Sequence, residues 1–331
     1  MISDSLEPAA ISDDPKMPFL TEALDPAEAT RSLCEPLGPG WYVTAARVVR
    51  HKPGRRCLIE YDLADGSAKF TLIGKARAKG LDTSICALQL ELAAGGFDAG
   101  SPHGISVPAA CGIVPRWNMW LQRKAPGVPA TTLLAGSGGP AVARRLAEAV
   151  HQLHEAGVPA RRAHTVADEM AILQKRLPLA AASEPAWEVR IARLLAACAR
   201  LAGTIREPRT RGIHRDFYPD QALVDGDRLW LLDFDLYCAG DPALDIGNCL
   251  AHLTEQALRA TGDPRALAGC EEALEERWLE LAGEEHRASV RAWTALSLAR
   301  HIHISTQFAE RRAFTGRLIA LCEERLAAYF P

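Results

Sequence analysis

Three strand-like segments follow one another in the first half of the chain, and they constrain the fold more than any other feature. WYVTAARVVR and CLIEYDL flank HKPGRR, and an Asp-Gly pair at 65–66 separates the second segment from KFTLIGKARA. Pro-Gly and Asp-Gly are turn signals, and short turns between such segments are typical of hairpins. The pattern therefore predicts an antiparallel meander that begins at Trp41, in a strand-like region that extends to Arg123.

Helical patterns dominate the rest of the chain. Asp25 before Pro26 predicts one helix start, and a helix over Thr83–Ala94 is capped by Asp82 or Thr83. After the strand pair ISVPAACGIV and NMWLQRK, the stretch APGVP leads into GPAVARRLAEAVHQLHEAG, which has apolar residues at helical spacing. These patterns predict an α+β, bilobal protein divided into a disordered tail (1–20), a β-rich lobe with one helix (21–121), a hinge (122–129) and a mostly α-helical lobe (130–331).

The composition excludes several classes of protein. With 331 residues, 48% hydrophobic residues and a net charge of −3, the chain has no strong electrostatic bias towards nucleic acid or an anionic membrane. The nine cysteines form no C-x-x-C pair, which favours reduced thiols over structural zinc. The acidic N-terminus lacks the apolar stretch of a secretory signal, and no window resembles a membrane span. We expect a cytoplasmic protein without nucleic-acid or membrane partners, whose oligomeric state stays open.

One hairpin interrupts the helical half. ALV and RLWLL are short apolar runs joined by an Asp-Gly turn at 225–226. Because a hairpin returns the chain to where it began, His214, Asp216 and Gln221 before it should meet Asp233 after it. Two carboxylates and an amide oxygen at one point suit a hard cation such as Mg²⁺.

The order of the motifs around this hairpin resembles that of a known protein family. His214-Arg215-Asp216, Gln221, Asp233-Phe234-Asp235 and GDPALDIGN at 240–248 are similar in order to the motifs of the aminoglycoside phosphotransferase and choline kinase-like branch of the protein-kinase-like fold. The stretches GK at 74–75, LQRKAPGVPATTLL and LAEAVHQLHEAG resemble its lysine strand, interlobe hinge and the helix before the catalytic loop. The resemblance extends over about residues 40–325.

The resemblance implies roles in phosphoryl transfer, a reaction that needs positioning and charge neutralisation more than covalent catalysis. Asp216 is then the residue that orients and deprotonates the acceptor hydroxyl, within a catalytic loop that includes His214 and Arg215. Gln221 and Asp233 are the implied Mg²⁺ ligands. Gln221 departs from the usual Asn, but it offers the same carbonyl oxygen on a side chain one methylene longer.

The β-rich lobe is the implied nucleotide-binding part, with ATP or GTP as phosphate donor. Lys75 would neutralise the α- and β-phosphates, and Glu91, on the edge of the apolar face of the predicted helix, would be its partner. The base edge would meet backbone groups near Arg123 and Ala125. Twelve Lys and Arg against six Asp and Glu in residues 41–124 suit a polyanionic ligand, although HKPGRR replaces the glycine-rich loop of protein kinases.

Three other functions compete with that of a small-molecule kinase. LWLLDFD resembles the nucleophile strand of haloacid-dehalogenase-like phosphatases, but Tyr237 and the helical remainder do not fit that fold. A protein kinase is disfavoured because an A-P-E-like segment is absent after Asp233. A nucleotide-binding pseudokinase stays open because of Gln221. The acceptor, a small molecule with a hydroxyl group, also stays open, since fourteen acids against ten basic residues in 240–331 is a small excess.

Overall fold

The chain divides into two compact units, one ending at Pro126 and the other beginning at Gly127. The structure, a computed structural model, describes residues 14–205 and 210–329. The division falls inside the predicted hinge, and the first unit is rich in strands whereas the second is mostly helical. Within the described ranges, no helix has the length and apolar character that crossing a bilayer would require.

The first unit is built on a five-stranded sheet in the order β1-β2-β3-β6-β5. All four neighbouring pairs are antiparallel, so the predicted meander of β1, β2 and β3 is confirmed. Its elements are α1 (Leu20–Leu24), α2 (Pro26–Leu37), β1 (Tyr42–Lys52), β2 (Arg56–Ala64), β3 (Lys69–Arg77), α3 (Thr83–Leu92), β4 (Ile105–Ser106), β5 (Ala110–Val114) and β6 (Met119–Arg123).

The two faces of this sheet carry different helices. Successive strand residues point to opposite faces. In β6, Met119 and Leu121 therefore join the core beneath α1 and α2, and Trp120 packs with Ile85 and Cys86 of α3. The predicted caps are also in place: the Asp25 carboxylate accepts hydrogen bonds from two backbone N–H groups of α2, and the Asp82 carboxylate accepts one from α3.

The prediction of a disordered tail over residues 1–20 is wrong for residues 14–20. Residues 1–13 lie outside the described ranges, but Met17 and Leu20 are fully buried against the sheet. The Asp14 carboxylate accepts a hydrogen bond from the Gly54 amide at 2.7 Å and lies 3.0 Å from His51 Nε2. Two buried apolar side chains and a tethered carboxylate make residues 14–20 part of the first unit.

The second unit is a set of helices around short strand pairs. β9 and β10 form the predicted hairpin, with Gly226 in the left-handed conformation (φ 55°) at its turn, and β8 pairs with β11. Its elements are β7 (Val128–Pro129), α4 (Ala130–Leu134), α5 (Gly139–Glu155), α6 (Val166–Ser183), α7 (Glu188–Ala202), β8 (Arg211–Ile213), β9 (Ala222–Asp225), β10 (Arg228–Leu231), β11 (Cys238–Gly240), α8 (Pro242–Thr261), α9 (Ala268–Ala282), α10 (Arg287–Thr306), α11 (Ala309–Arg312) and α12 (Thr315–Ala327).

Helices α8 and α10 pack at very short range around Gly247. A Cβ atom at this position would lie 2.6 Å from the Thr294 backbone nitrogen and 2.6 Å from Trp293 Cβ. Only glycine allows so close an approach. The Trp293 indole N–H also donates to Asp241 Oδ2 at 2.6 Å, which ties α10 to the start of α8.

Candidate active site

The β9–β10 hairpin brings the predicted metal-binding residues to one end. Ala222 is paired with Leu231, and the Leu232 N–H donates to the Gln221 carbonyl at 2.8 Å. Gln221 and Asp233 therefore flank the same end of the hairpin. Asp233 has a left-handed backbone (φ 57°), a conformation that is uncommon for residues other than glycine and is often found at functional sites.

Asp245 fixes the segment that leads to Asp216. Its Oδ2 accepts a hydrogen bond from the His214 N–H at 2.8 Å, and its Oδ1 accepts one from the Arg215 N–H at 2.6 Å. The Nε2 of His154 on α5 lies 2.9 Å from Asp245 Oδ2. Asp245 therefore braces this loop through two of its backbone N–H groups.

His214 is buried and joins the loop to the end of the hairpin. Its Nε2 lies 2.7 Å from the Leu232 carbonyl oxygen, so Nε2–H donates there. Its ring packs against Phe217 and Phe234, with centroid separations of 5.9 and 5.0 Å. The imidazole thus holds the residue before Asp233 and is enclosed by two aromatic side chains.

Asp216 lies in a field of mixed charge. Burial raises the pKa of its carboxyl above the ordinary 3.8, and the negative charge of Asp233 acts in the same direction. Electrostatic interactions with Arg300, His214 and His301 act in the opposite direction on this pKa. The mutual effect of the two aspartates means that negative charge is concentrated here, as a cation site requires.

The side chain of Arg215 interacts with acidic residues at the start of α6. Its backbone is left-handed (φ 69°), and its guanidinium helps to lower the pKa values of Asp168 and Glu169 at the start of α6. The side chain is therefore close to the first turn of α6, while the Arg215 N–H binds Asp245.

A buried polar network, which the sequence analysis missed, supports the other side of the loop. Arg300 on α10 donates to Asn248 Oδ1, and its Nη1 lies 3.3 Å from Glu169 Oε1. Asn248 Nδ2 donates to the Phe217 carbonyl at 2.9 Å, and Glu169 Oε2 lies 3.0 Å from His164 Nε2. Asn248 closes the GDPALDIGN motif, but neither Glu169 nor Arg300 carries a local sequence signal.

Lys75 lies on β3 in the first unit. Its ammonium lies 4.8 Å from the centroid of the Trp120 ring, on the sheet face that packs against α3. The glycine before it has a packing role, because a Cβ at Gly74 would lie 2.5 Å from Met119 Sδ and 2.9 Å from the Tyr61 ring. Gly74 thus lets β3 sit tightly over the core while Lys75 faces the other way.

Glu91, the predicted partner of Lys75, is exposed on α3. The buried polar residue of this helix is Gln89, which donates from Nε2 to Gln122 Oε1 at 3.0 Å. The pairing of Lys75 with Glu91 stays a prediction.

Arg123 and Ala125 lie at and beyond the end of β6. The Arg123 guanidinium stacks over Phe70 at 4.1 Å, and the Arg123 N–H donates to the Ala109 carbonyl at 2.8 Å. The next amide, that of Lys124, donates to the Thr71 carbonyl at 2.9 Å. Ala125 is thus the first residue past the sheet whose amide could meet a nucleotide base.

The HKPGRR turn does not present its glycine amide as a phosphate-binding loop would. The Gly54 amide already donates to Asp14, and His51 lies against the same carboxylate. A backbone amide held by an internal carboxylate is not available to a phosphate oxygen. The side chains of Arg55 and Arg56 are what this turn can offer to an anion.

Comparison with known proteins gives the chain a family. The model of the phosphotransferase enzyme family matches residues 101–293, which is more than half of the chain and includes the catalytic loop, the hairpin and α8. The chain belongs to this family. None of the curated protein sequences matches it significantly.

Solved structures confirm the protein-kinase-like fold of this phosphotransferase-family chain. A choline/ethanolamine kinase family protein from Mesorhizobium loti is 16% identical with a TM-score of 0.61, covering 91% of this chain and 94% of that one. An amicoumacin kinase in complex with AMP-PNP, Ca²⁺ and Ami is 13% identical with a TM-score of 0.63, covering 96% and 95%. A glucosamine kinase in complex with glucosamine, ADP and inorganic phosphate is 16% identical with a TM-score of 0.59, covering 92% and 86%.

The donor set of this family member fits a hard divalent cation. Gln221 offers an amide oxygen and Asp233 a carboxylate, and the hairpin holds both at one end. Oxygen ligands of this kind are the ones that Mg²⁺ prefers, and Mg²⁺ usually keeps waters and substrate phosphates in its other positions. The residues present therefore suit the group that the family resemblance implies.

Proposed function

We propose that this chain is a Mg²⁺-dependent kinase that transfers the γ-phosphate of ATP or GTP to a hydroxyl group of a small molecule. The observation that carries the proposal is the meeting of Asp216, Gln221 and Asp233 around one end of the hairpin, in a chain of the phosphotransferase enzyme family. Phosphoryl transfer needs such a concentration of negative charge, both to hold a metal ion and to receive a proton.

Gln221 and Asp233 are the proposed metal ligands. Mg²⁺ bound there would neutralise charge on the phosphates of the nucleotide. The amicoumacin kinase of similar fold was solved with AMP-PNP and Ca²⁺, which supports a nucleotide together with a divalent ion in this fold. Asp233 is held in position because His214 binds the carbonyl of the preceding residue, Leu232.

Asp216 is the proposed catalytic residue. Its carboxylate would accept a hydrogen bond from the acceptor hydroxyl, orient the oxygen for attack and take its proton. The raised pKa brings the carboxyl closer to the pKa at which a general base works best near neutrality. His214 and Arg215 act as positioning residues, since their backbone N–H groups anchor the loop to Asp245.

The first unit supplies the proposed nucleotide contacts. Lys75 would neutralise the α- and β-phosphates and Glu91 would pair with it. The base edge would meet the Arg123 carbonyl and the Ala125 amide, because the Arg123 and Lys124 amides are used within the sheet. The twelve cationic residues of 41–124 favour the approach of a polyanion.

The proposed acceptor is a small molecule with a hydroxyl group. Proteins of similar fold include kinases named for choline or ethanolamine, amicoumacin and glucosamine. A screen for ADP or GDP release over amino alcohols, amino sugars, aminoglycosides and nucleosides would identify a substrate. An acceptor found in this way also separates an active kinase from the pseudokinase alternative, which would bind nucleotide without turnover.

Paired substitutions test the division of labour between the two aspartates. Asp216→Asn keeps the shape but removes the base, so kcat should fall by about 10²–10⁴ while the Kd for Mg²⁺-nucleotide barely changes. Asp233→Asn removes a charged metal ligand, so it should lower kcat and also weaken Mg²⁺-nucleotide binding. Steady-state kinetics and calorimetry on both variants measure these effects.

Asp220→Asn is the matched control. Asp220 lies in the same loop, but it is exposed and accepts a hydrogen bond from Thr131. It should leave both kcat and Kd near the wild-type values. Full turnover by Asp216→Asn, or equal losses of nucleotide affinity in the Asp216 and Asp233 variants, would refute the assignment.

A further inference from the structure

A second group of metal-binding side chains lies outside the proposed Mg²⁺ site. Among residues 14–205 and 210–329, His252, Glu255 and His301 place their ligand atoms within 4.8 Å of one another. His252 and Glu255 are one helical turn apart on α8, so they share a face. His301 lies on α10, the helix that packs closely against α8 at Gly247.

The buried imidazole of His301 points to a missing ligand. Its side chain is 1% exposed, and within the described part of the chain its Nε2 has no hydrogen-bond partner. Its Nδ1 lies 3.3 Å from Glu255 Oε2 without satisfying hydrogen-bond geometry. Buried polar atoms are nearly always satisfied, and leaving one unsatisfied costs about 1–3 kcal/mol. A metal ion bound by this ring would remove the deficit.

The two oxygens of Glu255 have different surroundings. Oε1 is the oxygen near the cations, 3.2 Å from Arg259 Nε and 3.5 Å from Arg311 Nη1. Oε2 faces His301. These ion pairs hold Oε1 on the side of the arginines and leave Oε2 directed towards His301.

We propose that His252, Glu255 Oε2 and His301 bind one divalent transition-metal ion of the Zn²⁺ class. Two imidazoles and a carboxylate form a common zinc ligand set, which leaves a fourth position for water or another ligand. Mg²⁺ prefers all-oxygen ligands, so this site is chemically distinct from the one at Gln221 and Asp233. The nearby positive charges of Arg259 and Arg311 lower the affinity of the site for any cation.

This site adjoins the catalytic loop. The ring of His252 stacks on Tyr218 with a centroid separation of 4.1 Å and an interplanar angle of 11°, and it meets His301 edge-on at 4.3 Å. Tyr218 follows Asp216 by two residues. An ion that holds the His252 ring would therefore stiffen the stack on which this part of the loop rests.

Metal titration of the whole purified chain tests the proposal. After removal of bound metals, Co²⁺ should give the visible d–d absorption of a low-coordinate site at one equivalent per chain, and Zn²⁺ should displace it. His252→Phe keeps an aromatic ring against Tyr218 but removes a ligand. His252→Phe and His301→Ala should each weaken Zn²⁺ binding at least about tenfold. Even substitutions of residues that only hydrogen-bond to a metal ligand lower metal affinity by about 10–100-fold.

Two controls make the result decisive. His303→Ala removes an imidazole two residues away on α10 and should bind Zn²⁺ like wild type, and so should Asp233→Asn. Circular dichroism and Tm establish that each variant is folded. If His301→Ala does not fold, His252→Phe decides, because His252 is only half-buried. Three results would overturn the proposal. They are the absence of stoichiometric Co²⁺ or Zn²⁺ binding, unchanged Zn²⁺ binding by His252→Phe, and loss of Zn²⁺ binding in Asp233→Asn.

Discussion

Gln221 is the residue whose substitution tests the proposed metal dependence most directly. Its carbonyl oxygen is the proposed ligand, so Gln221→Ala should sharply raise the Mg²⁺ concentration needed for half-maximal turnover. Gln221→Asn keeps an amide oxygen and should stay close to wild type. The measurement is a Mg²⁺ titration of turnover at saturating nucleotide, with an acceptor from the screen.

The control for this series is Gln307→Ala, which truncates an exposed glutamine at the end of α10. It should leave the Mg²⁺ titration unchanged. An unaltered titration for Gln221→Ala would remove Gln221 from the metal site and would favour the pseudokinase alternative.

Individual residues differ in how far the sequence could predict them. That Gln221 and Asp233 flank the same end of a hairpin was predictable, because the turn signal at Gly226 requires the segments on either side of it to meet. Arg300 and Glu169 were not, since they reach the loop from α10 and α6 and no spacing rule relates distant helices. The occupied amide of Gly54 was equally hidden, because its acceptor, Asp14, lies in a segment without periodicity.

At the scale of elements, α8 organises the loop through its first turns. Asp245 accepts hydrogen bonds from two backbone N–H groups of the loop and contacts His154 of α5. Asp245→Asn replaces an acceptor oxygen with a donor, so at least one buried N–H loses its partner. We expect the free energy of unfolding to fall by about 1–3 kcal/mol and kcat to drop as well.

Denaturant unfolding and steady-state kinetics check this expectation. Asp263→Asn is the matched control, because Asp263 is exposed and accepts a hydrogen bond from the Arg265 amide in a surface turn. It should change the unfolding free energy little. A fully stable and active Asp245→Asn variant would mean that the loop does not depend on α8.

Helices and strands were predictable where the sequence contains local signals for turns or helix starts. The meander, the β9–β10 hairpin and the starts of α2 and α3 each carry a turn signal or a capping aspartate. The segment 14–20 carries neither, and its burial depends on the sheet surface that receives Met17 and Leu20. Such packing is decided by the tertiary fold, so a local pattern could not show it.

At the scale of the whole molecule, the Arg300 network connects α6, α8 and α10 of the second unit and should make stability depend on pH. Burial alone would raise the pKa of Glu169, but Arg300 and His164 outweigh it and hold that pKa below its usual 4.5. A lowered carboxyl pKa contributes stability above about pH 4.5, and this contribution is lost as the pH falls through the folded-state pKa.

Glu169→Gln should therefore lower the free energy of unfolding near neutral pH and flatten its decline on acidification. Denaturant unfolding between pH 7 and pH 3 measures both effects. Glu188→Gln alters an exposed glutamate in the first turn of α7 and should follow the wild-type curve. Parallel acid profiles for wild type and Glu169→Gln would show that the network does not carry this dependence.

The close approach at Gly247 also restricts how this chain can diverge. Because a single added carbon would meet both Trp293 and the backbone of Thr294, no substitution on α8 at this point is neutral by itself. Because the atoms that it would meet are the α10 backbone and the Cβ of Trp293, α10 itself would have to move away, and Arg300 on the same helix would shift relative to Asn248 and the loop. A descendant that lost this glycine would need compensating mutations on α10 before the loop was ordered again. Substitution at this single position is therefore a difficult step in the evolution of the second unit.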